Sequence, residues 1–112
     1  MPSDVEMKKY AKNLPAIYRD IVAAFPEIEP NRRAGDGLAF QTFAAHFANT
    51  HRGHSLGDVR EACIRMADNG FFEIKNVIFV YPTDLGEQLI AAVTDRPIPT
   101  HARVPELPMR TW

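Results

Sequence analysis

The sequence predicts a mainly α domain with one small β-hairpin, and three observations predict it. Apolar residues recur at helical spacing in several separate windows, which builds core-facing stripes. One window opens on a serine cap at Ser55 and closes on Asn69–Gly70, a helix stop. Directly after it, residues 71–81 are aromatic and β-branched with one polar break, the pattern of two short strands. A chain of 112 residues with 46% apolar content fits one domain with a modest core.

Taken in order, Ser3 and Glu6 have capping-box spacing, so residues 1–12 read as an N-terminal arm or short helix. Asn13 opens a stronger helix, with Pro15 tolerated in its first turn. Leu14, Ile17, Tyr18, Ile21, Val22 and Phe25 form one stripe along it, and Pro26 is expected to end it. Two prolines and two glycines make the following stretch a loop. A second helix is expected over residues 38–51, its core stripe built on Phe40, Phe43, Ala44, Phe47 and Ala48. The break His51-Arg52-Gly53-His54 then leads into the helix capped by Ser55, with Asp58 placed to complement the helix dipole. Leu56, Val59, Cys63, Met66 and Ala67 face inward along this helix; Gly57, Arg60, Glu61, Ile64, Arg65 and Asp68 face outward.

In the strand pair the expected turn is Lys75–Asn76. Thr83 caps a last helix with Leu85, Leu89, Ile90 and Val93 inside. Gly86 within it costs about 1 kcal/mol against alanine, so a close backbone approach is expected there. The domain is bounded at residues 13–94. Residues 95–112 hold four of the nine prolines and no helical period, an extended tail that still carries Val104, Leu107, Met109 and Trp112.

The composition narrows function. A net charge of −1 argues against a polycationic nucleic-acid binder, while leaving room for a local basic patch. One cysteine, Cys63, allows no internal disulfide, which fits a reducing compartment. No leader-like apolar core and no membrane-length run are visible, so the expectation is a soluble, cytoplasmic protein with no membrane partner. His46, His51, His54 and Cys63 have no metal-ligand spacing, and no nucleophile elbow or phosphate-binding loop is present. The reading is therefore not an enzyme, with no cofactor and no metal.

Helix, helix, tight turn, helix, short hairpin, helix is an order that resembles a winged helix-turn-helix domain. Met66-Ala67-Asp68-Asn69-Gly70-Phe71-Phe72 looks like the end of a recognition helix entering the first wing strand. Tyr81-Pro82-Thr83-Asp84-Leu85-Gly86-Glu87-Gln88-Leu89 is similar to the passage after the wing in MarR-like and PadR-like regulators. The resemblance implies double-stranded DNA as partner, a homodimer, and a role in transcription regulation. The candidate DNA-binding residues are Arg52, His54, Ser55, Arg60, Arg65, Lys75 and Asn76. Between residues 46 and 76, however, Arg52, Arg60, Arg65 and Lys75 face Asp58, Glu61, Asp68 and Glu73, four cations against four acids. That balance sustains an alternative, a winged-helix protein–protein interaction module, whose candidate contacts are Ile64, Val104, Leu107, Met109 and Trp112.

Overall fold

A computed structural model describes residues 4–94. They form α1 (Asp4–Lys12), α2 (Ala16–Ile28), β1 (Leu38–Ala39), α3 (Phe40–Asn49), α4 (Leu56–Asp68), β2 (Phe72–Lys75), β3 (Phe79–Pro82) and α5 (Asp84–Val93). The result is mainly helical with a small three-stranded antiparallel sheet in the order β1-β3-β2. The tail residues Val104, Leu107, Met109 and Trp112 lie outside the described residues.

One core joins all five helices. Phe25, Phe43, Phe47, Phe71, Ile21 and Met66 are fully buried, and Met7 and Ala11 bring α1 into the same cluster. Phe25 sits at the centre, with its ring 5.1 Å from Phe43 edge-on and 5.5 Å from Phe72. The phenylalanine-rich stripes are thus consumed by packing, since a domain this small has few other large side chains to fill its interior.

The helix expected to reach residue 51 ends at Asn49, since His51 takes φ +57°, and four further boundaries differ from the sequence reading, each for a nameable reason. The helix expected from Asn13 starts at Ala16, because residues 13–15 make a tight link in which Asn13 N–H donates to the Tyr10 carbonyl at 3.1 Å. It also runs through Pro26 to Ile28: in the last turn a proline forfeits little, Pro26 is buried, and Glu29 N–H still donates to the Phe25 carbonyl. Leu38 and Ala39 are not helical, since they pair with Val80 and Phe79 as the third strand. Gly37 permits this approach; a Cβ there would lie 2.6 Å from the Tyr81 ring. Finally, Lys75 pairs with Phe79, so the turn comprises residues 76–78 instead of Lys75–Asn76.

The caps at Ser55 and Thr83 and the stop at Gly70 agree with the sequence reading, while Ser3 of the expected capping box lies outside the described residues. Ser55 Oγ accepts from Asp58 N–H at 3.1 Å, and Gly70 takes φ +85° after α4. Thr83 Oγ1 accepts from Gly86 N–H while donating toward the Gly70 and Phe71 carbonyls, so one hydroxyl fastens α5 to the α4–β2 junction. A Cβ on Gly86 would run into the Phe71 carbonyl oxygen, which accounts for the glycine inside that helix.

Candidate binding face

The turn between α3 and α4 is where a helix-turn-helix reading places its pivot. Thr50 Oγ1 donates to the His46 carbonyl at 2.9 Å, His51 and Gly53 take positive φ, and Arg52 N–H returns to the Phe47 carbonyl. Two acids on α2 then hold the turn from below. Glu27 pairs with Arg52 at 2.9 Å and with His46 at 3.0 Å; Asp20 meets His54 Nε2 at 2.7 Å. The Arg52 guanidinium also lies over the Phe47 ring, and the His54 ring meets that same phenylalanine edge-on at 5.2 Å. Hydrogen bonding from Arg52 holds the Glu27 carboxyl below the usual glutamate range, against the opposing effect of burial.

Arg52 and His54 thus have partners within the domain at this turn, where the winged-helix resemblance names both as DNA contacts. Ser55 is likewise engaged, as the cap of α4. The remaining candidates face outward. Arg65 is exposed and pairs with Glu61 one turn back at 3.0 Å. Lys75 lies 3.8 Å from Glu73 and over the Tyr81 ring, and Asn76 forms the hairpin tip at φ +54°. Arg60 is exposed and has no hydrogen-bond or acidic partner among the described residues. Surface pairs such as Arg65–Glu61 contribute only about 0.3–0.5 kcal/mol, so Arg65 and Lys75 remain free to exchange partners.

Leu56, Val77 and Ile78 are the residues that sequence reasoning misses. The helical stripe places Leu56 inside, yet it is 44% exposed, because the first residue of α4 lies beyond the core against the hairpin tip. Val77 and Ile78 have the composition of strand interior and are 69% and 50% exposed. Val77 holds φ +69°, a left-handed conformation that costs a β-branched residue about 1–3 kcal/mol. The only signal of it in the sequence is Asn76, a residue that tolerates positive φ, directly before it.

Cys63 is fully buried, and burial pushes its thiol up to about 12, so it is an inert core residue at neutral pH. Among the described residues no group of three His, Cys, Asp or Glu converges, and no helix is long and apolar enough to cross a membrane. No family model, curated protein or solved structure matches the chain.

Proposed function

We propose that the chain is a winged helix-turn-helix domain that binds double-stranded DNA through α4, with the β2–β3 hairpin as its wing. The order α2, α3, tight turn, α4, hairpin, α5 supports this reading. The single observation that carries it is Arg60: an arginine unpaired among the described residues, on the outward face of a helix whose capped N-terminus stands beside the hairpin. An arginine in that place meets a guanine edge or a phosphate when such a helix enters a major groove. The role that follows is a transcriptional or accessory regulator. Two copies reading half-sites about 34 Å apart would suit a homodimer.

Electrostatics set the magnitude. Arg60, Arg65 and Lys75 are the exposed cations of the face able to reach phosphate, whereas Arg52 is half-buried against Phe47 and Glu27. Three phosphates neutralised per copy give a log–log salt slope of about −2.7 for one copy and about −5.4 for a dimer on two half-sites. Fluorescence anisotropy with a mixed-sequence duplex at several salt concentrations tests this. The expected result is binding with the dimer's slope, lost in the double variant Arg60→Ala, Arg65→Ala. A protein that stays folded yet binds no duplex at low ionic strength would sink the proposal.

A second reading, a protein-interaction module, is favoured by the apolar surface at Leu56, Val77 and Ile78.

A further inference from the structure

β1 runs into α3 where α4 begins and where the hairpin turns, and the three meet around a groove of about 190 Å³. Ala39, Phe40, Leu56, Val77 and Ile78 make its apolar walls, and Gln41 and Arg60 complete the lining. Small-molecule and cofactor pockets run to about 300–1,000 Å³, so this groove is the wrong size for one. It has room for an aliphatic side chain. Nucleic acid covers it poorly, because a phosphate backbone gains nothing from aliphatic walls and Phe40 is too buried to offer a stacking face.

Two further features point to a ligand. Val77 is kept in a left-handed conformation at the rim, where the fold alone would be better served by glycine or asparagine. Arg60 is exposed, and no acidic group among the described residues neutralises it, so the groove presents an apolar socket beside an uncompensated positive charge. Ile64, one turn along α4, is 41% exposed and extends the apolar strip past Arg60. Arginine is enriched at protein-contacting patches, where lysine and glutamate are depleted, so a lone arginine beside an apolar socket suits a polypeptide that carries an acid.

We infer that this groove docks a polypeptide partner that inserts one aliphatic side chain between α4 and the hairpin and sets a carboxylate against Arg60. The inference stands apart from DNA binding, although both use Arg60, so a docked peptide and a bound duplex exclude one another.

Selection of a displayed library of short random peptides on the full chain is the test, followed by affinity measurement on the selected sequences. Selected peptides should share an aliphatic residue with an aspartate or glutamate close by. The neutral pair Val77→Ser, Ile78→Ser should weaken them by about tenfold or more, the loss of an anchoring contact. It should leave the salt slope of duplex binding unchanged, because it removes no charge. Arg60→Glu should reject those peptides and accept versions with lysine in place of the acid. Failure to select any peptide overturns the inference, as do peptides indifferent to both variants. A serine pair that weakens duplex binding as strongly as it weakens the peptides also overturns it, because the groove would then belong to the DNA face. Circular dichroism confirms that each variant is folded, and the exposed positions of Arg60, Val77 and Ile78 keep that control secure.

Discussion

The two ends of the molecule use their polar and conformational resources in opposite ways. At the α5 end nearly every special residue is engaged within the domain. Glu87 accepts both Arg32 nitrogens at 2.7 Å and the Gly35 N–H at 2.7 Å, while the same guanidinium donates to the Asp36 carbonyl and lies over Phe25. Thr83 and Gly86 are equally committed. At the other end, where α4 meets the hairpin, Arg60 has no partner among the described residues, three aliphatic residues face water, and Val77 is held in a strained conformation. The contrast separates residues that specify the fold from residues that the fold presents. A feature with no internal partner, kept at some cost in stability, is where a partner molecule is to be sought.

The largest effect belongs to the committed end. Arg32 and Glu87 are only 8% and 12% exposed, so removing one leaves the other as a largely buried charge. Glu87→Ala is expected to destabilise the domain by about 3–5 kcal/mol, with release of the loop that Arg32 and Gly35 tie down. Urea unfolding monitored by circular dichroism checks this. A loss below about 1 kcal/mol, the range of an exposed pair, would place the latch in solvent and weaken the contrast. Gly86→Ala follows at about 1–3 kcal/mol, since the added methyl meets backbone at Phe71, which cannot swing aside.

The open end should respond with the opposite sign. Val77→Gly relieves a positive φ worth about 1–3 kcal/mol but adds about 0.5–1 kcal/mol of chain entropy to be lost on folding. The net expectation is a gain of about 1 kcal/mol in stability, together with lost affinity for any partner of the groove. A destabilised variant would mean that Val77 packs more than its exposure indicates.

These differences follow how far apart in sequence the cooperating residues lie. The Ser55 cap, the Asn69–Gly70 stop, the Thr83 cap and the outward register of Arg60, Ile64 and Arg65 were all legible. Each depends on neighbours within about one or two helical turns. The close approach at Gly86 was also legible, because a glycine inside a strong helix forgoes stability unless a neighbouring backbone needs the space. The β1 strand was not legible: Leu38 and Ala39 acquire their conformation from Phe79 and Val80, far along the chain. The same holds for the anchors of the turn. Arg52 pairs with an acid 25 residues away and His54 with one 34 residues away, so both look unpartnered in a linear reading. The groove was hidden for a different reason. A β-branched valine in a turn contradicts propensity, and propensity places it in a strand.

The smallest effect lies between the two ends, at the Glu27 cluster beneath the α3–α4 turn. The Glu27 carboxyl is held below its ordinary value mainly by the Arg52 hydrogen bond. A depressed folded-state value means that the folded protein favours the ionised form more than the unfolded chain does. The stabilisation is therefore fully present above the unfolded value of about 4.3 and is lost as pH falls through the lower folded value. Glu27 is 37% exposed, so solvent screening keeps the contribution to a few tenths of a kcal/mol. The expected result is that Glu27→Gln is slightly less stable than the parent at pH 7, and that the two converge on acidification below about pH 4. Paired denaturation curves across that range measure it. A gap that persists at low pH would show that Glu27 acts through packing and neutral hydrogen bonding, and the turn would then owe its position to the Phe47 contacts of Arg52 and His54.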